Sequence, residues 1–231
     1  VSGHVDVLVG AGAGVVVVVL VASIIGLTRP RAGLTHVVWG AGFVVVVCVS
    51  ALIGDGEDGR VALLTAMVTI WGTRLAVYHG WRSRHDPAPT TPIRSLASTL
   101  TLEGVLLFVV ALPVMLAMTP ASPVIGWASV VGVAIWGVGL FVEAVADVQF
   151  DRFHAVPENQ GRDIDRGLWR FGRRPTRVGN ACVWWGIFLV AAETSDARLG
   201  VIGPLLMTFL LQRRTGALLA RRPTKVISSD V

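Results

Sequence analysis

The sequence predicts an all-α, polytopic membrane protein of about seven transmembrane helices. Three observations lead there. Apolar residues make up 53% of the 231 and charged residues only 15%, against roughly 25% charged in soluble domains, too few to coat a soluble globule. The charges are clumped, with long uncharged runs between them. Of the 20 Lys and Arg, only Arg60, Arg74 and Arg198 fall outside four stretches that occupy every second connection between apolar runs, the pattern of a topology signal. The net charge of +5 and the pI near 10.5 therefore do not imply a nucleic-acid partner.

A spanning helix needs about 20 apolar residues. Runs at 5–27, 35–53, 61–80, 99–118 and 124–147 supply five. Two shorter runs, 179–192 and 200–211, need flanking residues to complete a crossing. The Val-rich stretch 15–19 has strand propensity, but an isolated strand in lipid leaves its backbone unpaired, so a helix is expected. Gly10, Gly12 and Gly14 lie inside the first run without a preceding strand, which favours helix packing through Gly10 and Gly14 over phosphate binding. The first run is too long for a cleavable signal, and residues 1–4 carry no Lys or Arg. Cys48 and Cys182 fall in apolar segments and read as buried thiols rather than a disulfide.

Short connections at 54–60, 119–123 and 193–199 alternate with the Arg-bearing ones, so the positive-inside rule places the N-terminus outside and the C-terminus in the cytoplasm. The long connection, 148–178, mixes Arg152, Arg162, Arg166, Arg170, Arg173, Arg174 and Arg177 with Asp151, Glu158, Asp163 and Asp165. It is expected to fold against the helices. The whole chain reads as a single transmembrane domain, with helices 1–4 in 1–118, helices 5–7 in 124–216 and a cytoplasmic tail at 217–231.

Ionisable side chains cost about 2.5–3.5 kcal/mol at mid-bilayer and usually mark a cavity or a partner. Here they gather toward the inner half. Helix 3 carries Arg74, Tyr78 and His79, with Arg74 about 10 Å above Trp81 at 1.5 Å per residue. Helix 2 begins with His36 and Trp39, helix 4 with Glu103. Helix 5 ends with Glu143 and Asp147, and helix 6 begins with Asn180, Trp184 and Trp185. The outer half offers almost nothing comparable. Arg74 with Glu103 or Glu143 reads either as a structural ion pair or as part of a site. Glu143 and Asp147 share a helix face and each needs a donor. Trp81 and Trp127, at helix ends, suit interfacial anchoring, and His4, His85 and His154 lie near connections and read as solvated. The guanidinium-rich connection suits phosphates or anionic lipid headgroups. No His/Glu spacing suits a metal.

At 142–186 the chain resembles the steroid 5-alpha reductase family, in its bacterial branch. The residues that carry the resemblance are VEAVADVQ at 142–149, Arg152-Phe153, PENQG at 157–161, GLWR at 167–170, then Arg173, Pro175, Gly179 and ACVWWG at 181–186. Weaker echoes extend it over most of 35–216: Trp39-Gly40 with Phe43, Trp71-Gly72 with Arg74-Leu75, LLFVVALP at 106–113, PLLMTFLL at 204–211, and Gly216. At 172–180 this chain reads GRRPTRVGN where the family typically has Thr-Arg-His-Pro-Asn-Tyr-Phe-Gly-Glu. The resemblance implies a seven-helix reductase holding NADPH among helices 5–7 on the cytoplasmic side, with a lipophilic substrate between helices 1–4. It implies cofactor contacts at Glu143, Asp147, Asn159, Arg170 and Arg173.

The leading expectation is therefore a membrane oxidoreductase in a bacterial plasma membrane, reducing an activated C=C bond of a steroid-, terpenoid- or polyketide-like molecule with NADPH. Tyr78 is the expected acid, with Arg74, Glu103 and His36 in support. Arg162, Arg170, Arg173, Arg174 and Arg177 are expected on the phosphates, Glu143, Asp147, Asn159 and Asn180 also on the cofactor, and Trp39, Trp184 and Trp185 on the substrate. Two alternatives stand beside it. The same scaffold without a cofactor could act as a cyclase or isomerase through Glu103, Glu143, Asp147 and His36, or the chain could bind lipid without catalysis.

Overall fold

The computed structural model describes residues 2–28, 34–85, 93–119, 126–159, 162–171 and 174–219. Among these there is no strand. Seven α-helices run in order: α1 (Ser2–Thr28), α2 (Leu34–Ile53), α3 (Asp58–His85), α4 (Ile93–Ala117), α5 (Trp127–His154), α6 (Pro175–Ala191) and α7 (Ile202–Leu219). Three short 3-10 turns, Pro157–Asn159, Gly167–Arg170 and Asp196–Val201, lie in the connections. Four helices are long and apolar enough to cross a membrane, over Gly3–Leu27, Asp58–Ser83, Ser98–Ala117 and Trp127–His154, and the apolar helix Val37–Ile53 is shorter. Large apolar side chains such as Val9, Leu20, Val130 and Phe141 remain exposed on α1 and α5, as lipid-facing surfaces require.

Several element ends differ from the apolar runs. α3 begins at Asp58, inside the expected connection 54–60, because Glu57 accepts the backbone N–H of Gly59 and of Arg60 and so caps the first turn. α3 and α5 also run on to His85 and His154. Their last turns are polar, and a hydropathy run stops before the helix does.

The helices pack in two groups. α2 pairs with α3, and α1 lies across α2 and α4; α5 pairs with α6, and α7 joins the groups by packing on α4 and α6. Glycines set both pairs. A Cβ on Gly40 would lie 2.5 Å from the Gly72 carbonyl oxygen, so α2 and α3 touch backbone to backbone. On the other pair, a Cβ on Gly139 would lie 2.6 Å from the Gly179 oxygen, and one on Gly132 2.7 Å from that of Gly186. Gly10 and Gly14 of α1 pack against Val45, Val49 and Ile53 of α2, as expected. Cys48 and Cys182 are free thiols. The core is apolar through Val46, Val47, Leu64, Met67, Met115 and Ile187.

One end of the bundle gathers the start of α1, the turn 54–57, the end of α4, the start of α5 and the turn after α6, joined by polar contacts. His4 lies 2.9 Å from the Thr119 hydroxyl and 3.1 Å from Asp196. Arg60, 1% exposed, lies 3.7 Å from Glu193. Glu193 in turn accepts the backbone N–H groups of Gly126 and Ser129 and the Ser129 hydroxyl, at 2.7–3.0 Å. The expectation of a nearly apolar outer half is thereby corrected. Residues on separate connections, each polar in isolation, fold onto one another at this end, and His4 takes part rather than standing in solvent alone.

Candidate functional site at the Arg-rich end of α3 and α5

α3 presents Trp71, Arg74, Tyr78 and Arg82 at intervals of three or four residues, so they form one stripe along the helix. α5 presents Glu143, Asp147 and Asp151 at intervals of four, with Phe150 beside the last. The two stripes face each other. α5 packs its backbone on α6 and on the turns that follow α5; it meets α3 through these long side chains.

The contacts form a ladder. At its deepest rung Trp71, fully buried, donates its indole N–H to Glu143 Oε2 at 3.1 Å. Arg74 donates Nη1 to the same oxygen at 2.9 Å, and its Nη2 to Asp147. One guanidinium thus bridges two carboxylates that would otherwise repel, a use its planar fork suits. The Asn180 amide, on α6, is also within hydrogen-bonding reach of Glu143. At the outermost rung Arg82 Nη1 binds Asp151 Oδ1 at 2.5 Å, and the Tyr78 hydroxyl donates to that same oxygen at 3.1 Å. The Arg82 guanidinium also lies 4.8 Å from the Phe150 ring centroid, a cation–π position.

Glu143 is 3% exposed, a burial a carboxylate tolerates only when paired and hydrogen-bonded. Three carboxylates face two guanidinium groups along the ladder. The aromatic core adjoins its deep end. Trp184 stacks at an angle on Phe43 with centroids 4.5 Å apart and meets Trp71 edge-on at 5.4 Å; Trp39 meets Phe43 edge-on at 5.3 Å.

The structure thus brings Arg74, Tyr78, Glu143, Asp147 and Asn180 together and sets Trp184 and Trp39 beside them. Arg74 resolves the open choice of partner toward Glu143, with Asp147 added. Glu103 lies on α4 and is 9% exposed. Trp185 points its N–H at Thr208 of α7, 3.2 Å away. Asn159 closes the turn after α5 by donating to the Phe153 carbonyl oxygen at 3.0 Å. Arg162 and Arg170 are exposed on the connection, Arg174 immediately precedes α6, and Arg177 lies in its first turn. Arg173 and the side chain of His36 lie outside the described residues.

The connection folds back on α5, as its mixed charge suggests. Gln149 accepts the backbone N–H of Leu168, and Trp169 donates to the Ala146 oxygen at 3.1 Å. Gly167 adopts φ +60 there, beside the Gln149 amide, a left-handed backbone that favours glycine. Asp151, Arg82 and Trp71 are the site members that the sequence reading passed over. The signal for Asp151 was present: it continues the spacing of Glu143 and Asp147 by four more residues.

The profile of a family described as "Protein of unknown function (DUF1295)" matches residues 22–228, which includes both stripes of the ladder. No curated protein and no solved structure matches the chain.

Proposed function

The chain belongs to the DUF1295 family, and from the ladder it carries between α3 and α5 we propose a membrane reductase of the steroid 5-alpha reductase type. In this reading all seven helices cross a bacterial plasma membrane, with the Arg-rich end in the cytoplasm as the positive-inside rule requires. The enzyme reduces an activated C=C bond of a lipophilic molecule with NADPH. The observation that carries the reading is Tyr78. Its hydroxyl stands on a polar stripe that continues to the Arg74–Glu143–Asp147 cluster and the Trp71–Trp184 aromatic core.

The residues present fit a dinucleotide phosphate. Arg162 and Arg170 expose guanidinium groups on the connection, and Arg174 stands at the positive end of α6. Among the described residues Asn180 Oδ1 is buried without a hydrogen-bond partner beside Glu143, and a donor such as a carboxamide would satisfy it. NADPH, when bound, supplies the hydride. The protein's part is to polarise the substrate: the Tyr78 O–H, turned from Asp151 Oδ1 to an enone carbonyl oxygen, stabilises the enolate charge that develops as the β carbon is reduced. Arg82, 3.4 Å from the same phenol oxygen, offsets the charge left on it.

One observation favours a second reading. Glu143 and Asp147 are both already held by Arg74, so each carboxylate has a cationic partner without a cofactor. A cyclase or isomerase working by acid–base groups alone would need no more.

An NADPH titration of the purified protein in detergent separates the two, read by thermal shift and nicotinamide fluorescence with NADH as control. Saturable stabilisation is expected, about 2.7 kcal/mol at 100 times Kd. No response at millimolar NADPH from folded protein would overturn the reductase reading and favour the cofactor-free one.

A further inference from the structure

We propose that residues 166–171 of the connection after α5 lie on the inner surface of the bilayer, with Phe171 inserted among the lipid chains and Arg166 and Arg170 on the phosphates of anionic phospholipids. The inference rests on the topology proposed above and not on the reaction.

The depth follows from α5. Trp127 opens that helix and is 79% exposed, as suits an aromatic anchor at the outer interface. The connection is fastened far along the same helix. Trp169 donates its indole N–H to the Ala146 oxygen, and Leu168 donates its backbone N–H to the Gln149 side chain. Ala146 and Gln149 lie about 28 and 33 Å along the helix axis from Trp127, and a hydrocarbon core is about 30 Å thick. The segment is therefore held at the level where hydrocarbon gives way to headgroups.

Its side chains divide in two directions there. Trp169 turns onto α5, with the Phe150 ring 5.4 Å away. Phe171, two residues on, turns outward and is 88% exposed, the most open large apolar side chain among the described residues. A phenyl ring at that level can leave water for the acyl boundary. The charge around it is of one sign. Residues 166–178 hold five Arg and no Asp or Glu, whereas Asp151, Glu158, Asp163 and Asp165 all precede them. Arg166 and Arg170 are exposed. Asp165 lies 3.9 Å from Arg166, with the two side chains 85% and 83% exposed, so that pair contributes little. An open ring flanked by guanidinium groups complements an anionic lipid surface, which offers hydrocarbon to the ring and phosphate to the fork. A dinucleotide phosphate would also attract Arg170, but it offers Phe171 no hydrocarbon.

The test uses the full chain in nanodiscs of phosphatidylcholine, alone or mixed with phosphatidylglycerol. A nitroxide is attached at Phe171→Cys, and separately at Val138→Cys on the exposed face of α5, in a background carrying Cys48→Ala and Cys182→Ala. Collision with a neutral nickel chelate in water and with oxygen in lipid reads the depth of each label. The label at 171 is expected at phosphate level. Its exposure to the chelate should be about fivefold lower with phosphatidylglycerol than without, the factor that one basic residue near an anionic surface supplies. Arg166→Gln combined with Arg170→Gln should remove that difference, and so should high salt. The same exposure at 171 in both kinds of disc, with the label at 138 in hydrocarbon, would overturn the proposal alone. A label at 138 open to the chelate would overturn the topology and the proposal with it. Shielding at 171 that appears only when NADPH is added, whatever the lipid, would assign Phe171 to the cofactor and overturn the proposal as well. If the cysteine-free protein does not fold, a photoreactive phenylalanine analogue in place of Phe171 serves instead. Crosslinking to phosphatidylglycerol is then expected, and its absence from folded protein would overturn the proposal.

Discussion

Arg60 and Glu193 meet at 3.7 Å at the end of the bundle opposite Tyr78, and Arg60 is 1% exposed there. The pair ties the first turn of α3 to the turn after α6. Through the hydrogen bonds that Glu193 accepts from Gly126 and Ser129, it also holds the first turn of α5. A carboxylate at a helix N-terminus is favoured by the helix dipole as well as by the N–H donors it satisfies.

Removing one member of a buried pair strands the other. Arg60→Met is expected to destabilise the protein by about 3 kcal/mol, seen as a lower thermal midpoint in detergent. The double substitution with Glu193→Gln should recover part of that loss. Equal midpoints for Arg60→Met and wild type would show the pair to be inert.

Glu193 also sets an acid limit. Burial pushes its carboxyl upward, but the bonds from Ser129 and Gly126 outweigh this and hold it below the usual glutamate value. A carboxyl depressed on folding contributes stability that is complete above its unfolded pKa, about 4.3, and is lost as pH falls through the lower folded value. Glu193→Gln should therefore lower the midpoint most near neutral pH. The gap to wild type should close as pH drops below about 4, and a gap that widens in acid would refute the assignment.

The helices were legible because a membrane demands apolar length, and five of the runs stand out for that reason alone. Their ends were not, since Arg82 and Asp151 extend α3 and α5 on polar turns. Within the site, the spacing of Arg74 to Tyr78 and of Glu143 to Asp147 gave one stripe on each helix. Which stripes face each other is a tertiary matter, and so Asp151 was read as part of a connection. The Arg60–Glu193 cluster was missed outright. Its members are distant in sequence and look like ordinary turn residues until the turns are stacked.

The glycine contacts between α5 and α6 predict a graded response. Gly139→Ala places a methyl 2.6 Å from the Gly179 oxygen and 2.8 Å from the Val183 nitrogen, both backbone atoms that cannot step aside. A loss of about 1–3 kcal/mol is expected. Gly137→Ala, which meets nothing within 4 Å, should leave the thermal midpoint unchanged or raise it, because alanine favours a helix over glycine by about 1 kcal/mol. A Gly139→Ala midpoint as high as that of Gly137→Ala would show that close packing does not decide.

Tyr78→Phe keeps the ring beside His79, whose centroid is 5.2 Å away, and deletes only the hydroxyl. Enone turnover should fall by at least about 100-fold, the usual scale for a positioned acid, with an unchanged thermal midpoint and unchanged NADPH binding. Retained turnover would remove Tyr78 from the chemistry.

From Trp71 to Arg82 the polar stripe of α3 runs about 16 Å along the helix axis, roughly half the thickness of a hydrocarbon core. In the proposed topology, a lipophilic molecule dissolved in the adjoining leaflet lies at the depth of the stripe. Its single polar group could meet the stripe by lateral diffusion without passing through water. The effective concentration that matters would then be the mole fraction of the molecule in the leaflet, so a homologous series differing only in tail length should be ranked by partitioning before it is ranked by fit.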